Sequence, residues 1–123
     1  MIYELNDIEL NVEMTGSGPP LLLLHGFTGS LKTWSSFLPV FTKQYRVITL
    51  DILGHGKSSA PTDPKRYTIE KAADDIIALL DRLHIDKTHV LGYSMGGRLA
   101  LMFACTYPER VRSLTLESAS PGL

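Results

Sequence analysis

A serine framed by glycines is the clearest chemical signal in this sequence. Residues 92–96 read Gly-Tyr-Ser-Met-Gly, and they lie between a strand-like run at residues 88–91 and a helix-like run at residues 97–107. A serine on such a strand-to-helix turn presents its hydroxyl as a nucleophile, and the flanking glycines leave room for the strained backbone. An ordinary turn would not require glycine on both sides. We therefore predict that Ser94 is a catalytic nucleophile.

A second motif predicts where negative charge is stabilised. His25, Gly26 and Phe27 follow an apolar run at residues 21–24. Because the first loop after a strand seldom reaches the far side of a nucleophile, His25 is disfavoured as the catalytic base. The backbone N–H groups of Phe27 and Met95 are instead expected to converge on a developing oxyanion. These two residues form the predicted oxyanion hole.

Residues 51–58, Asp-Ile-Leu-Gly-His-Gly-Lys-Ser, follow another apolar run and allow three interpretations. A phosphate site is weakly supported, because the glycine spacing fits neither common nucleotide-binding pattern. A metal site at Asp51 and His55 is also weakly supported, because no third ligand is evident. A structural turn is the favoured interpretation, and we predict no metal site.

The elements around these motifs predict an α/β fold. The first two strands enclose a tight turn, and the second alternates apolar and polar residues, as an antiparallel hairpin does. The next three strands are apolar without a wet face, which indicates parallel strands covered by helices on both faces. The strands are predicted at residues 2–5, 8–14, 21–24, 45–50, 88–91 and 111–116. The helices are predicted at residues 69–83 and 97–107, with a shorter one at residues 34–41 that Pro39 is expected to break.

The composition argues against several classes of function. The 123 residues carry 12 basic and 13 acidic side chains, which indicates neither a nucleic-acid partner nor an anionic membrane. The N-terminus has no signal-peptide pattern, and the longest apolar run is too short to span a bilayer, so the expected location is the cytoplasm. The single cysteine, Cys105, is expected to be a small buried side chain rather than a catalytic thiol.

Three motifs together resemble a known superfamily. His-Gly-Phe, Asp-x-x-Gly-His-Gly-x-Ser and Gly-x-Ser-Met-Gly-Gly occur here in the order found in the α/β-hydrolase superfamily, and the resemblance covers essentially the whole chain. Residues 25–30 and 92–98 more closely resemble the menaquinone-pathway lyases that form 2-succinyl-6-hydroxy-2,4-cyclohexadiene-1-carboxylate. In that family the residues that match Tyr93 and Arg98 contact the substrate. The resemblance implies no cofactor and no metal.

Arg98 supports this resemblance on physical grounds. It follows Ser94 by about one helical turn, and a guanidinium binds carboxylates bidentately, so the expected partner is a small carboxylate-rich substrate. The alternative is an arginine on an exposed helix face. By resemblance, Ser94 activated by a histidine would remove a proton and drive the elimination of pyruvate. Two other functions stay open: a carboxylesterase or C–C bond hydrolase that forms an acyl-serine, and a non-catalytic interaction fragment.

The sequence does not supply a complete catalytic triad. His84 ends a helix and His89 begins the strand that leads to Ser94, so neither is expected to be the base. Glu117 follows the strand at residues 111–116 and is a candidate acid, because some relatives place their acid there. By resemblance, the histidine, the lid and more often the acid follow later strands. Residues 1–123 are therefore interpreted as the N-terminal half of a hydrolase fold, inactive alone and able to self-associate through an uncovered strand edge.

Overall fold

A computed structural model describes residues 1–119 of the chain, and in that range the strands form one six-stranded sheet. The order across the sheet is β1-β2-β4-β3-β5-β6. The pairs β1–β2 and β2–β4 are antiparallel, and the other three pairs are parallel. The strands are β1 (Ile2–Leu5), β2 (Ile8–Thr15), β3 (Pro20–Leu24), β4 (Arg46–Leu50), β5 (Thr88–Tyr93) and β6 (Val111–Glu117). The expected mostly parallel sheet with an antiparallel N-terminal hairpin is confirmed.

Helices and short 3₁₀ turns connect the strands. The α-helices are α1 (Leu38–Phe41), α2 (Ile69–Arg82) and α3 (Met95–Thr106). The 3₁₀ turns are Leu31–Trp34, Pro64–Tyr67 and Pro108–Arg110. Thr68 caps the N-terminus of α2: its hydroxyl accepts the Lys71 N–H at 3.2 Å, so one of the unpaired donors of the first turn is satisfied.

The central strand β3 is covered on both faces, which explains why it lacks a polar side. Leu22 and Leu24 pack into the core beneath α2 and α3, where Phe103 is fully buried. Leu21 and Leu23 point the other way and pack with Trp34. Since side chains alternate along a strand, a strand between two helical layers is apolar at every position.

The predicted helix at residues 34–41 is wrong in its extent. Trp34 ends a 3₁₀ turn, and only Leu38–Phe41 forms a short α-helix. Pro39 occupies the first turn of α1, where a missing N–H costs no intrahelical hydrogen bond. The proline therefore sets where this helix begins rather than breaking a longer one.

Cys105 is exposed, contrary to the expectation of a buried side chain. Ala100 and Phe103 on the same helix are both fully buried against the sheet. Successive helix residues are about 100° apart, so Cys105 lies about 200° around the helix from Phe103 and faces away from the core. The apolar neighbours of Cys105 in the sequence did not reveal this direction.

The strand β6 forms one edge of the sheet. In the described range it pairs with β5 only, and Thr115, Leu116 and Glu117 are exposed. Among residues 1–119, no helix is both long enough and apolar enough to cross a bilayer. We propose that copies of this chain associate through the β6 edge, because unpaired backbone groups on an edge strand are a template for another strand.

Thr115→Lys should weaken this association, because a lysine on an edge strand disfavours pairing with a second copy. Light scattering after size exclusion should show that the unmodified chain exceeds its 13.6 kDa monomer mass as concentration rises, and that the variant exceeds it less. Thr62→Lys, which places the same charge in an exposed loop, is the matched control. A monomeric unmodified chain across the concentration range would contradict the proposal.

Candidate active site

The carboxyl ends of four parallel strands bring the sequence motifs to one edge of the sheet. The end of β3 leads into His25, the end of β4 into Asp51, and the end of β5 into Ser94. The end of β6 is in register with that of β5, since Tyr93 pairs with Glu117. Loops at this edge of a parallel sheet are where such folds place their ligands.

Ser94 has a strained backbone and a free hydroxyl. Its φ of 54° and ψ of −113° lie outside the regions that serine normally occupies. Ser94 is the residue that precedes α3, yet its side chain does not cap the helix, and in residues 1–119 its Oγ makes no hydrogen bond. The surrounding backbone holds the strain: the Ser94 N–H donates to the Glu117 carbonyl at 2.9 Å, and the Ser94 carbonyl accepts from Gly97 at 2.9 Å.

Two glycines permit this geometry because backbone atoms occupy the space of a side chain. A Cβ on Gly92 would collide with the backbone of Gly96 and Gly97. A Cβ on Gly96 would collide with the carbonyl groups of Leu24 and His25, at the end of β3. The requirement for glycine at both flanks of Ser94 is therefore steric.

The backbone N–H groups of Phe27 and Met95 are available as donors. In the described range neither has a hydrogen-bond acceptor, and both residues line the same cavity. The peptide group between Gly26 and Phe27 is anchored through its carbonyl, which accepts from His25 Nδ1 at 2.7 Å and from the Gly29 N–H at 3.0 Å. Because a trans peptide holds its N–H opposite its carbonyl, these two bonds also fix the direction of the Phe27 N–H.

His25 is a structural residue in this geometry and is not free to act as a base. Its ring is fully buried, Nδ1 donates to the Gly26 carbonyl, and Nε2 accepts the Ile52 N–H at 3.0 Å. Burial lowers the pKa of His25, and this outweighs the hydrogen bond to Gly26, which acts in the opposite direction. The neutral imidazole therefore joins the loop after β3 to the loop after β4.

The loop at residues 51–58 is organised around a buried carboxylate, which bears out its interpretation as a structural turn. Asp51 Oδ1 accepts the Leu31 N–H at 2.8 Å, and Oδ2 accepts from Lys57 N–H at 2.9 Å and Asn11 Nδ2 at 3.0 Å. Burial by itself raises the pKa of Asp51, but these hydrogen bonds outweigh it, so the pKa lies below its usual value. Gly56 has a φ of 51°, and a Cβ there would collide with the Asp51 carboxylate.

A cavity of about 580 Å³ lies beside the predicted oxyanion donors. Arg98 lines it, is exposed, and in residues 1–119 its guanidinium makes no hydrogen bond or ion pair. No described carboxylate lines the cavity, so its charge is positive. Tyr93 does not line it: the Tyr93 ring lies 3.1 Å from where a Cβ on Gly26 would be. The remaining walls are mostly apolar, formed by Ile52, Leu53, Ile69, Ala72 and Leu99.

The other candidate acid and base residues do not form a triad in the described range. Glu117 accepts the Ser94 N–H through its backbone carbonyl, and its exposed side chain bonds to no histidine. His89 lies five residues before Ser94 on β5, about 16 Å away along an extended strand. His84 follows α2, before β5 begins. Within residues 1–119, no three His, Cys, Asp or Glu side chains are grouped as metal ligands.

One ion-pair cluster next to the cavity was not predicted from the sequence. Arg66 lines the cavity, is 8% exposed, and bonds through Nη2 to Asp75 and through Nε to Asp7, both at 2.8 Å. It thereby connects the 3₁₀ turn Pro64–Tyr67 to α2 and to the turn between β1 and β2. The only signal available was Asp75, an acidic residue four positions before the apolar Leu79, and its sequence position indicated neither its burial nor its partner.

Asp51→Asn should destabilise the chain by about 2–4 kcal/mol at pH 7, because an amide keeps one acceptor oxygen and presents an NH₂ to two donors. Urea unfolding monitored by Trp34 fluorescence measures this difference. Asp86→Asn is the matched control, since Asp86 is exposed and its side chain makes no hydrogen bond in the described range.

The unmodified chain and Asp51→Asn should also differ in how their free energy of unfolding depends on pH. A carboxyl group with a lowered folded-state pKa stabilises the fold above its unfolded pKa of about 3.9 and loses that contribution as the pH falls through the folded value. The stability difference between the unmodified chain and Asp51→Asn should therefore shrink below about pH 4. His25 does not cancel fully, because the Asp51 carboxylate is one of the groups that raise the pKa of His25. Without that carboxylate the His25 pKa falls further, so the difference should widen as the pH falls through about 6.5 before it shrinks below about pH 4. A difference that stays constant from pH 7 to pH 3 would show that the carboxylate charge is not responsible.

Comparisons with known proteins agree with this geometry. A family model described as the alpha/beta hydrolase fold matches residues 19–123. A Bacillus subtilis (strain 168) protein with the provisional name 2-succinyl-6-hydroxy-2,4-cyclohexadiene-1-carboxylate synthase is 48% identical over 103 residues, which are 84% of this chain and 37% of that protein. The 2-hydroxymuconate semialdehyde hydrolase of Pseudomonas sp. (strain CF600) is 37% identical over 89% of this chain and 39% of its own.

A solved structure gives the same result for the fold. The crystal structure of a hydrolase from Pseudomonas aeruginosa PA01 superposes with a TM-score of 0.96 at 32% identity, covering 100% of this chain and 47% of that one. The chain thus spans less than half the length of each of these three proteins. The sheet order, the strained serine turn and the family match lead to one conclusion: this chain belongs to the α/β-hydrolase fold family.

Proposed function

We propose that this chain carries the nucleophile and oxyanion hole of a lyase that eliminates pyruvate to form 2-succinyl-6-hydroxy-2,4-cyclohexadiene-1-carboxylate in menaquinone biosynthesis. The observation that carries the proposal is the guanidinium of Arg98, which has no protein partner among residues 1–119 and lies in a cavity that Phe27 and Met95 also line. The product is itself a carboxylate, and a cation without a protein partner is suited to bind such a substrate. The 48% identity to the Bacillus subtilis protein of that name supports the same choice.

The chemistry requires a proton acceptor and a site for negative charge. Ser94, with a histidine as the final proton acceptor, would remove a proton from the ring carbon beside the succinyl ketone. The electron pair forms a new C=C bond, the C–O bond to the enolpyruvyl group breaks, and the leaving enolate takes up a proton at carbon to become pyruvate. During this step negative charge develops on the ketone oxygen, where the N–H groups of Phe27 and Met95 would stabilise it.

We also propose that the triad acid and histidine lie outside these residues, with Glu117 as an alternative acid. His25 has both ring nitrogens engaged in hydrogen bonds, and His89 lies at the other end of β5. The 123-residue chain alone should then show no turnover that depends on Ser94. Turnover by the chain alone that disappears in Ser94→Ala would contradict this part of the proposal.

A hydrolase is the second candidate, favoured by the 37% identity to 2-hydroxymuconate semialdehyde hydrolase. The same serine would then attack a carbonyl carbon and form an acyl-serine, and the same N–H groups would bind the tetrahedral oxyanion. The two functions differ in their products, since only the lyase releases pyruvate without consuming water.

The assay should use the complete product of the open reading frame that contains this sequence, with pyruvate release and p-nitrophenyl ester hydrolysis measured in parallel. We expect pyruvate release to dominate, and Ser94→Ala to reduce it by roughly 10³-fold or more, because the nucleophile acts together with the rest of its triad. Ester hydrolysis that exceeds pyruvate release would favour the hydrolase. Equal activity of Ser94→Ala in both assays would exclude both functions.

Arg98→Ala should raise KM by roughly 10- to 100-fold, the loss expected when a charge-assisted bidentate hydrogen bond is removed. Arg98→Lys should recover part of the affinity, because it keeps the charge and loses the planar fork. Arg112→Ala, at the opposite end of β6 from Ser94, is the matched control. An unchanged KM in Arg98→Ala would remove the basis for a carboxylate-rich substrate.

A further inference from the structure

The loop that carries Phe27 contains a strained residue. Thr28 has a φ of 67°, in the left-handed region that β-branched residues rarely adopt. Such a conformation persists only where neighbouring groups hold it. Thr28 directly precedes Gly29, whose N–H is one of the two donors that anchor the Gly26 carbonyl. Relaxation of the Thr28 φ would move Gly29, break that hydrogen bond and free the peptide group that carries the Phe27 N–H.

One side chain from another loop holds Thr28 in place. The Thr28 N–H donates to His55 Nε2 at 3.3 Å. His55 Nδ1 lies 3.2 Å from the Leu53 carbonyl, which can only accept, so the proton is on Nδ1 and Nε2 is the acceptor. The His55 ring also contacts Phe27 edge to face, with ring centroids 5.7 Å apart. His55 therefore contacts both Phe27, which carries the predicted oxyanion donor, and Thr28, the strained residue that follows it.

His55 is itself held rigidly. The His55 N–H donates to the Ile52 carbonyl at 2.9 Å, and the His55 carbonyl accepts the Ser58 N–H at 3.1 Å. Both bonds lie inside the loop that the Asp51 carboxylate organises. The imidazole is thus fixed to the end of β4, whereas Thr28 lies in the loop after β3.

From this arrangement we infer that His55 is a positioning residue, which keeps Thr28 in its strained conformation and thereby aims the Phe27 N–H at the reacting oxygen. The catalytic consequence rests on the proposed function, but the hydrogen bond and the strain do not. Two outcomes can therefore be measured separately: the order of the loop, and the rate of the reaction.

Hydrogen–deuterium exchange on the 123-residue chain tests the order of the loop. His55→Leu should speed exchange in peptides that cover residues 27–30 by roughly tenfold, about the equilibrium effect of one net hydrogen bond, with no change in α2. His55→Gln should stay near the unmodified rate, because its Oε1 can accept the Thr28 N–H. An unchanged rate in His55→Leu would overturn the inference.

A second variant, Thr28→Gly, distinguishes release of the strain at Thr28 from a general loss of order in the loop. Thr28→Gly adopts a positive φ without a steric penalty. In the Thr28→Gly background the positive φ at position 28 is no longer strained, so less depends on the hydrogen bond to His55. His55→Leu should therefore speed exchange clearly less than it does in the unmodified chain. Equal effects of His55→Leu in both backgrounds would show that His55 does not act against the strain at Thr28.

Kinetics of the complete gene product test the catalytic consequence. His55→Leu should lower kcat by about 10- to 100-fold with little change in KM, since a misplaced oxyanion donor weakens the transition state more than the bound substrate. His55→Gln should restore most of kcat. A kcat in His55→Leu equal to that of the unmodified enzyme would overturn the positioning role even if the exchange result held. Activity independent of Ser94 would instead refute the proposed function and leave the exchange test valid.

Discussion

The close approach of two backbones at Gly96 is the constraint on which the rest of the site depends. Gly96 lies against the carbonyl groups of Leu24 and His25, so the first turn of α3 is pressed onto the end of β3. This contact sets the distance between the serine turn and the loop that carries Phe27. A larger residue at Gly96 would move Ser94, the proposed nucleophile, away from Phe27, one of the two proposed oxyanion donors.

The site is rigid because buried polar groups connect its loops. Asp51 binds backbone N–H groups of two other segments, and His25 joins Gly26 to Ile52 through both ring nitrogens. A buried polar group with all its partners stabilises one arrangement strongly, because each unpaired alternative leaves a costly desolvated group. Preorganisation of this kind lets backbone donors stabilise a developing charge without reorganising during the reaction.

The sequence predicted the features that depend on local steric rules. The strand–turn–helix at Ser94 and the apolar strand β3 both follow from glycine spacing and side-chain periodicity, and both are present. It also favoured a structural turn at residues 51–58, but not the partners of Asp51. Those partners, Asn11 and Leu31, are distant in the chain, and a hydrogen bond between distant segments leaves no periodic signal.

The remaining errors have the same physical origin. Cys105 has apolar neighbours in the sequence, yet the direction of α3 against the sheet turns it outward. The helix predicted at residues 34–41 is divided ahead of Pro39 rather than at it, because Trp34 packs against Leu21 and Leu23 from a separate 3₁₀ turn. In both cases the local sequence is compatible with either structure, and tertiary packing determines which one forms. The inferred role of His55 also depends on tertiary contacts, so the sequence did not indicate it.

The central claim is that Ser94 and the N–H groups of Phe27 and Met95 form one preorganised site. A crystal structure of the complete gene product after reaction with a fluorophosphonate tests this most directly. We expect a covalent adduct on Ser94 Oγ, with the phosphoryl oxygen about 2.7–3.1 Å from both backbone nitrogens. An adduct on another residue, or a phosphoryl oxygen bound by neither nitrogen, would contradict it.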